Sequence, residues 1–451
     1  MTEPRQQMFS NKKLISMLIP VILEAVMASL VGMIDGIMVS TVGETAISGV
    51  ALVGNISSMM VQWFICLAAG GAIVTSQYIG ARNTKAAQRS AGQLILMVLF
   101  VSIAIGAIAF IFARPLLMFC FGKTEPEVMD NAVTYFKFMA VSYPFFALRN
   151  AGGAIFRCSG NTKVSLYISM IVNFVNIGGN AICLYGLGMG VEGVALPTVI
   201  SRAVGAAIIM VMMVRSPKIL SPTWHDVTHV HGKTMAKIVQ LGIPTALEGS
   251  LFQLGKVGTV SMISGFGTYQ IAANSVGMTL AYFSGIPSDA SATVALTVVG
   301  QCVGAKNMKQ IKMYTRKMLI WSYGCTAVIA IAMLLLRYQL LGLYSSLSAE
   351  AVELTADLML LFLCMAIFFY PPSFFMKSPL RATNDSVYTM AVGVGSMLVV
   401  RLGLAYILCV TMQMGAMGVW IGMVADWTCR SFFYVIRWVR GKWKTKCGLD
   451  G

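Results

Sequence analysis

Four oxygen-bearing side chains lie within long apolar stretches of this chain. Asp35 lies in the apolar stretch 18–40, and a charged side chain on a membrane-spanning helix costs roughly 2.5 to 3.5 kcal/mol. Asn176 and Asn180 are four residues apart and share one helix face, and Thr198 lies in the next apolar run. A carboxylate, two amides and a hydroxyl suit Na⁺, with Asp35 as its charged ligand, or a proton carried by Asp35 alone. The alternative is an interhelical hydrogen-bond network, in which Asn and Thr commonly hold membrane helices together.

Two glutamates form a second, symmetric feature. Glu24 and Glu248 each lie four residues after a proline, Pro20 and Pro244, which is expected to kink the helix. With the rise of an α-helix, both carboxylates lie roughly 15 Å into their helices, near the middle of the membrane. Such acids beside a central cavity would attract a cationic substrate. The alternative is that each bonds to the backbone freed by its own proline, or to a polar partner.

The second half of the chain contains further charges in or near its apolar runs, namely Lys256, Asp289, Lys377, Arg401 and Asp426. Lys256 lies two helical turns beyond Glu248, so the two side chains can share a face. We therefore assign Glu24, Glu248, Lys256 and Asp289 to a substrate cavity. Asp35 has the neutral Thr259 as its equivalent in the second half, so the candidate cation cluster is confined to the first half.

The elements that must position these residues are membrane helices. Of the 451 residues 57% are hydrophobic and 11% are charged, whereas soluble proteins have about 25% charged residues. The composition therefore predicts an all-α polytopic membrane protein. We place twelve helices at 14–40, 51–75, 90–113, 131–153, 164–186, 191–214, 237–263, 273–298, 314–336, 352–376, 387–410 and 415–437.

The charge distribution predicts the orientation of these helices. The net charge is +16, and most basic residues fall in alternate loops, whereas the opposite loops contain Arg114, Lys123 and Arg337. By the positive-inside rule, the protein is a multi-pass protein of the plasma membrane with both termini in the cytoplasm. No basic run interleaved with aromatics indicates a nucleic-acid partner.

The sequence repeats itself. QYIGARNTK at 77–85 returns as QCVGAKNMK at 301–309, an offset of 224 that also relates Pro20 to Pro244, Glu24 to Glu248 and Arg157 to Arg381. This predicts two parallel six-helix repeats, an architecture typical of transporters. The predicted domains are an N-terminal lobe at 1–214, a cytoplasmic linker at 215–236, a C-terminal lobe at 237–437 and a basic tail at 438–451.

Several functions are disfavoured by missing motifs. The chain has no GxxxxGK[ST] phosphate-binding loop, which argues against an ATP-driven pump. It has no catalytic triad or metal motif, and its ten cysteines contain no CxxC pair. We expect neither enzymatic activity nor a cofactor, apart from Na⁺ or H⁺ as a coupling ion.

These features together resemble the multidrug and toxic compound extrusion (MATE) family. The resemblance rests on the Pro20-to-Asp35 spacing, the GAR and GAK loops at Gly80 and Gly304, RCSGNTK at 157–163, GVEGVALPT at 190–198, and ADWTCR followed by RWVRGKW. It implies two lobes that form a V-shaped bundle. It also implies an antiporter, expected to be a monomer, that exports cationic or amphipathic small molecules by alternating access, in exchange for Na⁺ or H⁺.

The same resemblance implies roles for individual residues. Family members place the cation on an aspartate of helix 1 with polar groups of helices 5 and 6, and Asp35, Asn176, Asn180 and Thr198 occupy those places. Several relatives have a second aspartate where this chain has Asn180. The identity of the coupling ion therefore stays open.

Two alternatives remain at this point. A lipid-linked precursor flippase of the same superfamily would need cavity arginines to hold pyrophosphate, and Arg149, Arg202 and Arg401 are candidates. A channel or membrane receptor is a further alternative, against which the duplicated, kinked and acid-bearing helices argue.

Overall fold

A computed structural model of the protein describes residues 7–122, 125–215, 222–344 and 347–447. Over these ranges the chain is helical, with no β-strand. Its twelve long helices are α1 (Asn11–Ser40), α2 (Glu44–Gly80), α3 (Thr84–Ile111), α4 (Pro126–Cys158), α5 (Lys163–Gly186), α6 (Glu192–Arg215), α7 (Gly232–Ser264), α8 (Thr268–Gly304), α9 (Met308–Leu335), α10 (Ala349–Ala382), α11 (Ser386–Thr411) and α12 (Gly415–Val439). Short π-helical turns occur in α5 and α11.

Eight of the described helices are long and apolar enough to cross a membrane, by length and composition. They are α1, α2, α3, α5, α6, α9, α10 and α11. The other four long helices have apolar runs that are interrupted by polar and charged side chains, such as Arg149 in α4, Lys256 in α7, Asp289 in α8 and Arg430 in α12. The chain is a multi-pass membrane protein, and the predicted all-α fold is confirmed.

The helix ends differ from those expected. Each of the twelve predicted helices is present, but α2 begins seven residues earlier than predicted and α8 ends six residues later. The apolar pattern marks the segment suited to lipid, whereas backbone hydrogen bonding continues the helix into the polar turns on either side. The stretch predicted as a linker, 215–236, also contains a short helix (Trp224–Thr228) and the first residues of α7.

The repeated GA(R/K)N sequence forms the same turn in both halves. Arg82 and Lys306 have φ angles of 56° and 52°, the left-handed conformation that non-glycine residues seldom adopt. The next residues, Asn83 and Asn307, cap α3 and α9, because each side-chain oxygen accepts a hydrogen bond from the backbone N–H three residues on. This geometry supports a structural role for the motif.

The chain divides into two compact units, which are Asn11–Ala246 and Leu247–Gly451 with Met1–Ser10. In the first unit α4 packs against α2, α3 and α6, while α5 packs against α6 and α1. In the second unit α10 packs against α8, α9 and α12, while α11 packs against α12. The two units therefore repeat one packing pattern, as the duplicated sequence predicts.

The segment before α1 belongs to the second unit. Phe9 N–H donates to Tyr314 Oη at 2.8 Å, and the same hydroxyl donates to the Phe9 carbonyl at 2.9 Å. The two rings also make an edge-to-face contact with a centroid distance of 5.8 Å. These contacts join the N-terminal segment to α9.

The linker is held to the first unit by one buried glutamine. Gln93 Nε2 donates to the carbonyls of Asp226 and His229 at 2.8 and 2.7 Å, and its Oε1 accepts from His231 N–H at 2.8 Å. A capping box with Thr223 starts the short linker helix. Partial burial raises the pKa of Asp226, but the hydrogen bonds from Thr223 outweigh it, so that pKa lies below its usual value.

Candidate functional site

Asp35 lies near the end of α1, where it meets α5. Its side chain is half-buried, and Asn180 of α5 is fully buried beside it. Asn180 Nδ2 donates a hydrogen bond to Asp35 Oδ1 at 3.0 Å. The packing of α1 on α5 brings these two residues into direct contact.

Asn176 and Thr198 complete the cluster from α5 and α6. Asn176 Nδ2 lies 3.1 Å from Thr198 Oγ1, and the threonine hydroxyl donates to the Val194 carbonyl at 2.9 Å. If the Asn176 amide is turned over, its nitrogen lies 3.0 and 3.3 Å from Oδ1 and Oδ2 of Asp35. All four residues singled out in the sequence therefore form one contact group.

The two amide orientations of Asn176 suit two different states of Asp35. An ionised carboxylate accepts hydrogen bonds, so it requires the Asn176 nitrogen to face it. A protonated carboxyl can donate, so it can face the Asn176 oxygen instead. Asn176 can thus satisfy either state by turning its amide.

Asn180 offers a further acceptor. Its Oδ1 is buried and has no hydrogen-bond partner in the described structure. Buried polar atoms are normally hydrogen-bonded, and this oxygen is available to accept a hydrogen bond or to bind a cation. The oxygens of Asp35, Asn176, Asn180 and Thr198 are the hard donors that Na⁺ would use. The described residues contain no group of three or more His, Cys, Asp or Glu side chains suited to a metal ion, so a multi-carboxylate site is not formed here.

Tyr135 of α4 is a neighbour that the sequence reasoning missed. It packs against a small apolar cluster that includes Met38 and Val194, and it interacts electrostatically with Asp35 and Arg202. No motif marks Tyr135, since a lone tyrosine in an apolar helix is ordinary. Its place beside the carboxylate follows from the packing of the helices.

Glu24 has a polar partner within the first unit. Ser169 Oγ donates to Glu24 Oε1 at 2.8 Å, and Arg149 Nη1 donates to Ser169 Oγ at 3.3 Å. Arg149 also interacts electrostatically with Glu24. The glutamate therefore lies in a hydrogen-bonded chain that ends in a cation.

Glu248 is part of a direct ion pair. Arg381 Nη2 lies 2.6 Å from Glu248 Oε2, and the two side chains are 12% and 10% exposed. Arg381 Nε also donates to Thr389 Oγ1 at 3.3 Å. Because this partner neutralises Glu248, its attraction for a substrate cation is weaker than the sequence alone suggested.

Lys256 and Asp289 lie within electrostatic reach of each other in the second unit. Both are half-buried. Tyr370 Oη donates to Asp289 Oδ2 at 3.3 Å, and Lys256 Nζ lies 5.3 Å from the centre of the Phe252 ring. The four residues assigned to a substrate cavity thus have different surroundings, and their role in binding stays a prediction.

The repeated helical fold defines an internally duplicated multi-pass membrane protein, with one aspartate among polar side chains of α5 and α6. A sequence model of the MatE family matches residues 20–182 and again residues 244–407, with starting points at the two prolines that the internal repeat relates. The chain belongs to the MatE family.

Known proteins resemble the chain over nearly its full length. It is 26% identical to the uncharacterized transporter YisQ of Bacillus subtilis, over 98% of this chain and 97% of that relative. It is 25% identical to the probable multidrug resistance protein NorM of Thermotoga maritima, over 97% and 94%. A crystal structure of MATE in complex with MaL6 has a TM-score of 0.89 at 20% identity, over 96% of both chains, and this likeness shows the fold.

Proposed function

We propose that the protein is a secondary active antiporter that exports cationic or amphipathic small molecules in exchange for Na⁺ or H⁺ by alternating access. The contact between Asn180 and Asp35 carries this proposal, because it joins a membrane-embedded carboxylate on α1 to a buried amide on α5 whose oxygen has no hydrogen-bond partner in the described structure. Family membership and the resemblance to proteins named for multidrug resistance support it.

The coupling step follows from charge. An Asp35 carboxylate out of water favours the neutral state, so it will take up a proton or a cation when one is available. Occupation changes the local charge by one unit at the point where Asp35 of α1 meets the amides of α5. Because the cluster joins α1, α5 and α6, this change in charge can shift the equilibrium between two arrangements of these helices.

The substrate would be held by the residues assigned above. Glu24 and Asp289 offer negative charge for a cationic group, and Lys256 offers a positive one. Glu248 contributes little in this respect because Arg381 already balances its charge. We place the protein in the plasma membrane with both termini in the cytoplasm, on the basis of its loop charges.

Export driven by an ion gradient can be tested in inverted membrane vesicles. A fluorescent cation should accumulate when a Na⁺ or H⁺ gradient is imposed, and the gradient that drives it identifies the coupling ion. Collapse of both gradients should abolish transport whether or not ATP is present. ATP-dependent accumulation that survives the collapse would contradict the proposal.

A flippase for lipid-linked precursors is the second candidate. The buried guanidinium of Arg401, whose Nε has no hydrogen-bond partner in the described structure, favours it because pyrophosphate would satisfy such a group. Proteoliposomes containing a fluorescent polyprenyl pyrophosphate would distinguish the two functions. Gradient-independent movement of that lipid, without export of the cation, would favour the flippase.

A further inference from the structure

Three cations surround one aromatic ring in the second compact unit. Lys256 Nζ and Arg401 Cζ each lie 5.3 Å from the centre of the Phe252 ring, and Arg430 Cζ lies 5.6 Å from it. These side chains come from α7, α11 and α12. A ring face attracts a cation, but three cations at one ring also repel one another.

A second ring extends the cationic cluster. Arg430 Cζ lies 5.1 Å from the centre of the Phe374 ring, and Lys377 Nζ lies 5.0 Å from the same centre. Lys256 interacts electrostatically with Arg401, and Lys377 with Arg430. Four helices thus direct positive charge into one region of the unit.

The nearby acids do not balance these cations. Asp426 is the ion-pair partner of Arg430 and also interacts electrostatically with Arg401, and Glu248 is the partner of Arg381. Across the described ranges, no ion pair within 4.0 Å joins Lys256, Lys377 or Arg401 to an acid. Three cations therefore remain without a direct counterion.

Arg401 shows the imbalance most clearly. It is 3% exposed, and its Nε has no hydrogen-bond partner in the described part of the chain. Burial of the guanidinium carries a desolvation penalty that its electrostatic interaction with Asp426 offsets in part, and an oxyanion that accepts a hydrogen bond from Nε would reduce the penalty further. Lys256 and Lys377 are half-buried, so a ligand can reach the cluster.

We propose that Lys256, Lys377 and Arg401 bind the oxyanion, carboxylate or phosphate, of an amphipathic molecule whose apolar part packs against Phe252. Asp289 is the counter-charge of the empty site, because it interacts electrostatically with both lysines. A bound anion takes over this role. The use of the site in transport rests on the proposed export function, whereas anion binding does not.

Two dyes that share the xanthene ring system but differ in charge test whether the site binds anions or cations. Fluorescein is an anion and rhodamine 123 a cation, and fluorescence anisotropy measures their binding to the full chain in phosphatidylcholine nanodiscs. Lys256→Gln and Arg401→Gln should each weaken fluorescein binding about tenfold, the cost of one hydrogen bond to a charged group. Neither variant should weaken rhodamine 123 binding, because each removes a positive charge. Asp289→Asn should strengthen fluorescein binding. Lys312→Gln, an exposed lysine of α9, is the control.

The proposal is overturned if Lys256→Gln and Asp289→Asn bind fluorescein as the wild type does, or if both dyes lose affinity equally. Both variants replace half-buried residues, so the test stands even where Arg401→Gln does not fold.

Phosphatidylglycerol in the nanodiscs identifies the source of the oxyanion. A lipid headgroup ligand predicts that this lipid suppresses fluorescein binding, and a soluble ligand predicts no suppression. If the protein binds fluorescein but shows no gradient-driven export, the proposed transport function is wrong and the proposed anion site still stands.

Discussion

Arg381 donates a hydrogen bond to Glu248 at 2.6 Å across 133 residues of sequence, and the internal repeat does not reproduce this pair. At the equivalent positions, Arg157 donates to Ser165 and Glu24 accepts from Ser169. The counterpart of Ser169 is Gly393, where an added Cβ would lie 2.9 Å from Glu248 Cδ. In the second unit, an ion pair with Arg381 therefore takes the place of the serine hydroxyl that bonds to the equivalent glutamate, Glu24, in the first unit.

Removal of one member of this pair should destabilise the protein strongly. Arg381→Met leaves Glu248 charged and without its guanidinium partner, which costs about 3 to 5 kcal/mol for a buried pair. Thermal unfolding in detergent should show a lower midpoint, and the double variant with Glu248→Gln should recover much of the loss. Arg157→Met is the matched control, and an equal loss there would show that the ion pair adds nothing.

Asp35→Asn should fold and insert normally but fail to export. The amide resembles the protonated carboxyl in shape and charge, but it cannot release a proton or bind a cation electrostatically. Gradient-driven export of a fluorescent cation, at matched expression, should fall to the level of vesicles without the protein. Asp130→Asn removes an exposed carboxylate paired with Arg114 and should export normally. If Asp35→Asn exports at the wild-type rate, the residues around Asp35 form a structural hydrogen-bond network and not a coupling site.

Asn180→Asp should increase the dependence of export on Na⁺. A second carboxylate adds Coulomb attraction in a region of low dielectric, where a neutral amide oxygen binds a cation weakly. Export measured against Na⁺ concentration should reach half-maximum at a lower concentration than in the wild type. Asn173→Asp, two turns away on the same helix, controls for added charge, and the same gain there would argue against a site at residue 180.

The two repeated GA(R/K)N turns should depend on their asparagines. Asn83→Ala and Asn307→Ala each remove a helix cap and should cost about 1 kcal/mol, similar in the two units. Arg82→Gly should stabilise the first turn, because glycine adopts a positive φ without strain. Thermal unfolding compares these variants with Asn55→Ala, an exposed mid-helix position. If these asparagine variants keep normal stability but lose most of their export, the turns act instead as a gate in transport.

Gln93→Leu should release the linker helix from α3. Two backbone carbonyls and one N–H lose their buried partner, at about 1 to 3 kcal/mol for each group left unsatisfied. Hydrogen–deuterium exchange should rise in 224–231 and remain unchanged in α9. Gln93→Glu keeps the acceptor for His231 but faces the two carbonyls with an acceptor, so exchange should rise there as well. Unchanged exchange in Gln93→Leu would show that other contacts hold the linker.

The sequence by itself determined the membrane helices, the duplication and the group of residues around Asp35. Apolar runs and basic loops are local properties, because lipid and water act on each segment separately. The spacing of Asn176 and Asn180 also sets their shared face, since both lie on one helix with a fixed period.

Only the tertiary structure shows which side chains contact one another across helices. The hydrogen bond between Asn180 and Asp35, the ion pair of Glu248 with Arg381 and the cations around Phe252 join residues on different helices. Helical periodicity gives the face of a residue but not the neighbour that this face meets. That neighbour is fixed when whole helices pack, so the unpaired oxygen of Asn180 and the excess positive charge near Arg401 become visible only in the folded chain.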